Sequence, residues 1–387
     1  MIAAGELRDR LAGLEPIGLD AQGTTRLAWS EELAAAEAWF LDQARAGGLT
    51  VERDPAGSLW AVPAGDGPWW ATGSHLDSVR RGGRFDGALG VAAGFALAAR
   101  ANVAVIAFAD EEGARFNTPT FGSRALCGRL DTEAVLARVD EHGIALADAM
   151  RTVGVDPESL AAAPTWLPRL RGFLELHIDQ TRDLERAGAP AGAVRALAAR
   201  TRLAVTVQGR ADHAGTTPPD ERRDALGAAA RLIVAAESLA GDQPGLRVTA
   251  SRLLVEPNSF TTVPAHVRLW LDARAPGPEP LAAWRATLEA GAARLAVATR
   301  TEIAVATASH SAGVTFAAQV RAALGGLPEL VCFAGHDAGI LAERMPAGMV
   351  LVRNPTGVSH APEEDVDLDD AATGASALLA ALERLGA

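Results

Sequence analysis

The chain has 387 residues, 49% hydrophobic and 22% charged, with a net charge of −12. That length exceeds what one core ordinarily fills, so two domains are expected; the negative balance repels phosphate backbones and anionic lipid surfaces, which argues against nucleic acid and membrane as partners. All 36 Lys and Arg residues are arginine and there is no tyrosine, which removes Schiff-base lysine chemistry, Walker-type phosphate binding and tyrosine acid catalysis together. Only Cys127 and Cys332 occur, far apart, so any metal must be held by His, Asp and Glu. No apolar run reaches the roughly 20 residues a bilayer requires. The N-terminus lacks a signal peptide's basic-then-apolar order, and a cytoplasmic protein is expected.

In chain order, Ser30 followed by Glu31 and Glu32 caps a helix whose apolar face includes Leu33, Phe40, Leu41 and Ala44 and which ends at Gly47-Gly48. LTVER and SLWAVPA read as strands around the turn Asp54-Pro55-Ala56-Gly57, and WWATGSH runs as an apolar strand into His75. Residues 87–100 (GALGVAAGFALAAR) read as a small-residue helix, NVAVIAFADEE as an apolar strand ending in carboxylates, and GFLELHI (172–178) as a strand with His177 near its end. Strands alternating with helices predict an α/β domain with a mixed, largely parallel sheet and flanking helices, its functional groups gathered beyond the strands' carboxyl ends. The Gly/Ala/Pro-rich run RAGAPAGAVRALAAR (186–200) is the expected place of a hinge. From 200 to 310 the rhythm changes: TRLAVTVQG, a helix over 222–240, LRVTASRLLVE, HVRLWLDAR, the helix LAAWRATLEAGAARLAV, then TEIAVATAS. This βαββαβ order predicts a ferredoxin-like domain, 200–310, inserted into a larger one made of 1–199 and 311–387, with MVLVR (349–353) returning to the larger sheet.

His75, Asp86, Glu112, His177 and His360 each lie at or just after a predicted strand. Three imidazoles and two carboxylates without a thiol suit zinc, manganese or cobalt, and five donors are enough for two ions if one carboxylate is shared. Taken singly, a histidine at a strand end is ordinarily a packed or solvated residue; five such groups together favour ligation. Asp77, two residues beyond His75, would share its face in an extended segment and orient the ring as an acceptor, although alone it reads equally as a turn residue. The neighbours Glu111 and Glu112 follow the apolar run VAVIAFAD. Adjacent acids commonly mark a solvated turn, but here extended backbone would aim one carboxylate at a metal and the other at a substrate water, as a general base.

The segments GSHLDS, GGRFDGALGV, DEEGARF, ELHIDQ, GRADHAGTTP, DAR (272–274) and GVSHAPEE, in order between residues 30 and 370, resemble the successive motifs of the M20 metallopeptidase clan. More narrowly they resemble its branch of N-carbamoyl-L-amino-acid hydrolases and allantoate amidohydrolases. The resemblance implies two divalent ions per subunit, one surrounded by His75, Asp86 and His177, the other by the bridging Asp86, Glu112 and His360, with Glu111 as general base. It implies an inserted domain that closes over the site and forms a homodimer, His213 reaching a neighbouring subunit's site to stabilise the oxyanion. Arg274 and Asn258 would hold the carboxylate of a small-molecule substrate, an apt role for a planar guanidinium, with Gln180 as a further contact. His336, in AGHDAG, falls in a family motif and receives no role. Without the resemblance, His213 reads as a loop residue beside Asp212, and Arg274 as the partner of Asp272. Two departures stand out: HIDQT replaces HIEQG, through Asp179 and Thr181, and TGVSH replaces GGISH, through Thr356; both are expected to reshape the substrate pocket. The implied reaction is hydrolysis of a linear carbamoyl or ureido C–N bond, releasing ammonia and carbon dioxide. An M20 aminoacylase or dipeptidase, or a catalytically silent two-domain binder, remains an alternative, and the choice between allantoate and an N-carbamoyl amino acid stays open.

Overall fold

The computed structural model describes residues 1–241 and 243–387. It divides into two compact units: Met1–Arg195 with Thr315–Leu330 and Ala334–Ala387, and Ala196–Val314 with Val331–Phe333. Among the described residues no helix is long and apolar enough to cross a membrane.

The first unit is built on a mixed sheet that includes, side by side, Ala191–Leu197, Ala347–Val352, Leu170–Ile178, Trp69–His75, Val103–Phe108, Leu59–Val62 and Thr50–Arg53, with the short strands Val314–Thr315 and Glu329–Cys332 pairing with Ala191–Leu197. From Ala347–Val352 to Val103–Phe108 the neighbours are parallel, and the flanking pairs are antiparallel. Every residue of Val103–Phe108 and of Trp69–His75 is buried. Helices cover both faces of such a parallel sheet, so these strands read as unbroken apolar runs rather than as alternating ones. Ser30 accepts the Leu33 amide at 3.2 Å and starts the helix Glu31–Ala46. Leu33, Phe40 and Ala44 of its predicted apolar face are buried, whereas Leu41 is 37% exposed, because it lies off the stripe that meets the sheet.

The helix Ala88–Ala98 is buried at all but its last residue. Its small residues follow from how closely it lies on the strands: a Cβ at Gly90 would stand 2.4 Å from the Leu176 carbonyl oxygen. The run expected to hold a hinge contains the strand Ala191–Leu197, and the boundary between the two units falls within it, after Arg195. Its small residues answer to packing, since a Cβ at Gly192 would meet the Leu330 side chain at 2.3 Å and that of Leu184 at 2.9 Å.

The second unit is a four-stranded antiparallel sheet in the order Arg247–Glu256, His266–Ala275, Ala199–Gln208, Glu302–Ser311. The helices Ala225–Gly241 and Pro278–Thr299 pack on one face, where alternate residues Leu203, Val205, Val207, Val267, Leu269 and Leu271 form the core. Trp284 is fully buried between the helices, its indole N–H donating to the Ala236 carbonyl at 3.1 Å. Strand–helix–strand–strand–helix–strand in this spatial order is the ferredoxin-like arrangement.

Candidate metal centre

The parallel strands of the first unit deliver polar groups at their carboxyl ends. His75 closes one strand and His177 lies one residue from the end of its neighbour, while Asp86 sits just before the helix Ala88–Ala98. Asp86 Oδ1 is 3.4 Å from His75 Nε2 and 3.0 Å from His177 Nε2, and its Oδ2 is 3.5 Å from His360 Nε2. His360 Nε2 is also 3.4 Å from Glu112 Oε1. The donors thus form two groups, His75–Asp86–His177 and Asp86–Glu112–His360, that share Asp86. Three of the five lie farther from strands than their sequence suggests: Asp86, Glu112 and His360 stand in loops, and His360 takes a left-handed φ of 59°. Gly87 is required where it stands, since it has φ 67° and a Cβ there would meet the His75 ring at 2.5 Å.

The imidazoles are held in one tautomer. His75 Nδ1 lies 2.9 Å from the Asp77 carbonyl oxygen and His177 Nδ1 lies 3.1 Å from the Ile178 carbonyl oxygen. A carbonyl can only accept, so each Nδ1 carries the proton and each Nε2 presents a lone pair to the cluster. Asp77 therefore meets His75 Nδ1 most closely through its backbone carbonyl, while the carboxylate expected to orient the ring stands farther off, its Oδ1 3.7 Å from the same nitrogen. The strand ends at His75, so side-chain alternation does not extend to Asp77. The Asp77 carboxylate instead accepts the Glu111 and Glu112 amides, each at 3.1 Å, and positions both acids.

Glu111 and Glu112 diverge by a different route from the one expected. The strand stops at Phe108 and Asp110 turns the chain with φ 48°, so the two acids leave a turn rather than an extended segment. Glu111 is buried, its Oε1 without a hydrogen-bond partner and its Oε2 4.0 Å from His75 Nε2. Burial pushes its carboxyl well above the ordinary range, with Asp337 and Glu112 adding to the effect and His75 opposing it. Burial, aided by the charge of Asp86, raises Glu112 to about 8. Burial alone would raise Asp86 too, but the flanking His177 and His75 outweigh it and hold that carboxyl well below its usual range.

A second layer surrounds these groups. Glu175, on the same strand face as His177, accepts from Ser74 Oγ at 2.7 Å and from the Ala338 amide at 3.1 Å. His336 is buried with neither ring nitrogen hydrogen-bonded, its centroid 4.4 Å from that of His177; burial, with His177 adding, keeps it well below the usual histidine range and so neutral. Arg26 is 1% exposed and donates through Nε to the Leu76 carbonyl at 2.8 Å, and burial lowers its guanidinium to about 10 despite Asp77, Asp86 and Glu364 nearby. The sequence reading singles out neither Glu175, Arg26, Asp337 nor Glu364. A charged residue inside an apolar strand, as Glu175 is in GFLELHI, is the signal that would have found the first.

Gln180 donates to Asp86 Oδ2 at 3.1 Å. The departures in this region are occupied locally: Asp179 accepts from the amide and hydroxyl of Thr181 and from the Leu184 amide, while the Thr356 hydroxyl donates to Asn354 Oδ1 at 2.8 Å. Their side chains tie down the turns that flank the cluster. In the second unit, His213 is exposed and its Nδ1 accepts the Gly215 and Thr216 amides, each at 3.1 Å, which leaves the proton on Nε2. Arg274 donates through Nε to Asp272 at 2.9 Å and through Nη1 to the Phe333 carbonyl at 2.7 Å. Asn258 lies exposed in the loop after Glu256.

The residues fit a divalent ion. His177 Nε2 has no hydrogen-bond partner although Asp86 Oδ1 is 3.0 Å away, as for two donors aimed at a common point rather than at each other. Ligand bonds of about 2.1 Å in a tetrahedron place neighbouring donors about 3.4 Å apart, and the four separations found here run from 3.0 to 3.5 Å.

Residues 61–384 match the family described as peptidase family M20/M25/M40. The chain is 37% identical to an N-carbamoyl-L-amino acid amidohydrolase of Geobacillus stearothermophilus, across 98% of this chain and 97% of that one. It is 31% identical to the allantoate amidohydrolase of Escherichia coli, across 98% and 97% respectively. Its fold superposes on the crystal structure of a hydantoinase/carbamoylase family amidase from Burkholderia multivorans with a TM-score of 0.87 at 30% identity, covering 99% of this chain and 98% of that one. Matches of this extent settle the matter of descent, and the chain belongs to peptidase family M20/M25/M40.

Proposed function

We propose that the chain is an amidohydrolase that holds two divalent ions and cleaves a linear carbamoyl or ureido C–N bond in a substrate bearing a carboxylate, either an N-carbamoyl-L-amino acid or allantoate. The observation that carries this reading is the shared Asp86, each of whose oxygens faces a separate set of donors beside a buried, uncommitted Glu111. His75, Asp86 and His177 hold one ion; Asp86, Glu112 and His360 hold the other; zinc, manganese and cobalt all suit these donors. Such ions, when bound, polarise the scissile carbonyl and acidify water. Glu111 takes the proton from the attacking water, whose oxygen forms the new bond to the carbamoyl carbon. As the C–N bond breaks, Glu111 returns that proton to the leaving nitrogen; the carbamic acid so formed then breaks its remaining C–N bond, so that ammonia and carbon dioxide are the small products. Asp77 acts on the same step indirectly, by fixing the Glu111 and Glu112 amides.

The ferredoxin-like domain, 200–310, serves as lid and as the dimerisation surface of a homodimer. His213 offers its Nε2–H to the developing oxyanion in the neighbouring subunit's site. Arg274, pre-oriented by Asp272, and Asn258 receive the substrate carboxylate, with Gln180 as a weaker contact beside Asp86. We place the reaction in the cytoplasm.

The test is a panel assay on protein stripped of metal and reloaded with zinc, manganese or cobalt. Ammonia is measured with allantoate, N-carbamoyl-L-amino acids and 3-ureidopropionate, and amino-acid release with an N-acetyl amino acid. Ammonia from one carbamoyl or ureido compound, with no cleavage of the acetyl amide, is expected. Cleavage of the acetyl amide alone would favour an aminoacylase, and a metal-loaded protein inert to the whole panel would contradict the proposal.

A further inference from the structure

Glu364 is a buried carboxylate that the chemistry above leaves without a role. It is 3% exposed, and its Oε1 accepts the backbone N–H groups of Phe85 and Asp86, each at 3.0 Å. It stands four residues beyond His360 in GVSHAPEE, so one carboxylate fastens the loop that carries His360 to the backbone of the ligand that both donor groups share. The opposite side of the contact is shaped to receive it. A Cβ at Gly83 would lie 2.2 Å from Glu364 Oε1 and 2.5 Å from its Cβ. Gly83 does not take a positive φ, so the space needed by Glu364, rather than the backbone, excludes a side chain there. Without this acceptor two buried amides would lack partners, and the Asp86 loop would be left with longer contacts to the His360 loop, among them Ser359 Oγ donating to Asp86 Oδ2 at 3.4 Å and the exposed Arg84–Asp365 pair at 3.9 Å.

We propose that Glu364 is a positioning residue for the metal centre: by holding the Asp86 backbone to the His360 loop it fixes the separation of Asp86, Glu112 and His360, and thereby sets the affinity for the ion those three hold. The proposal rests on the reading of this cluster as a two-ion site. The role is geometric, requiring an acceptor oxygen and not a charge. Gln at 364 retains such an oxygen, and its NH2 group replaces Oε2, which has no hydrogen-bond partner. Ala removes the acceptor, and Gly83→Ala displaces it from the other side while leaving Glu364 in the chain.

The experiment titrates metal-free wild type, Glu364→Gln, Glu364→Ala and Gly83→Ala with zinc and with manganese, reading stoichiometry and both affinities by calorimetry, with a thermal melt to confirm folding. Wild type and Glu364→Gln are expected to bind two ions alike, while Glu364→Ala and Gly83→Ala keep the first ion and bind the second about 10- to 100-fold more weakly. If Glu364→Ala does not fold, Gly83→Ala and Glu364→Gln decide the question. A folded Glu364→Ala or Gly83→Ala with both wild-type affinities would overturn the proposal, as would a Glu364→Gln that loses as much as Glu364→Ala. Ammonia release by the same wild-type preparation separates the two readings: two ions and ammonia in wild type with an unchanged Glu364→Ala sinks the role of Glu364 alone, whereas a wild type that binds no second ion sinks the two-ion site itself.

Discussion

His75 and His177 each spend Nδ1–H on a backbone carbonyl, so Nε2 is the nitrogen that each ring turns to the cluster, and an arriving ion takes the place of any proton there. The same burial that pre-organises the cluster's donors makes its carboxylates costly to keep ionised without metal. Folding raises Glu112 from 4.5 to about 8, Glu364 from 4.5 to about 7 and Asp54 from 3.8 to about 6. A carboxyl whose folded pKa lies above its unfolded value binds more protons when folded, so its contribution to stability is present at low pH and is lost as pH rises through the folded value. His75 and His177 are also raised and act in the same direction, while Asp86, which is lowered, acts oppositely only at more acid pH, below its unfolded value of 3.8. The metal-free protein should therefore melt at progressively lower temperature from about pH 5 to about pH 8, and saturating metal should raise its melting temperature most at the alkaline end. A melting temperature that climbs across this window would contradict the electrostatic description. The five candidate donors that the structure brings together are legible from residue type and motif. The work of Asp77 is legible only in part, because its backbone carbonyl lies nearer His75 than its carboxylate does and the carboxylate also holds the Glu111 and Glu112 amides.

At the scale of elements, the centre depends on how closely the helix Ala88–Ala98 lies on the strands that end in His75 and His177. Gly90 meets both strands: its missing Cβ would stand 2.4 Å from the Leu176 oxygen and 2.8 Å from Ser74 Cβ. Gly90→Ala should lift the helix, lower stability in urea by about 1–3 kcal/mol, and weaken metal binding because Asp86 directly precedes this helix. An unchanged urea midpoint would show that the contact relaxes without cost. WWATGSH is legible as a strand to the residue, since an apolar run without charge suits a strand buried on both faces. The strand Ala191–Leu197 is not legible, because the Gly and Ala that let Leu184 and Leu330 approach it are the residues that ordinarily mark a flexible link. The helices between Phe121 and Thr152 are five to seven residues long, too short for a 3.6-residue period to show.

For the whole molecule, the ferredoxin-like order of the second unit is readable from the sequence because its strands alternate with one buried face. The first unit assembles its candidate centre from segments between residue 75 and residue 360, a convergence that no local pattern encodes and that the motifs revealed only by their resemblance to a family. Every role proposed above converges on one proton: the one that Glu111 would remove from water beside two ions. The most direct test is to load wild type and Glu111→Gln with metal, determine the ions bound per chain, and measure ammonia release from the preferred carbamoyl or ureido substrate. The account predicts two ions in both proteins and a kcat lower by about 10²- to 10⁴-fold in the variant; a Glu111→Gln protein that binds two ions and turns over at the wild-type rate would contradict it.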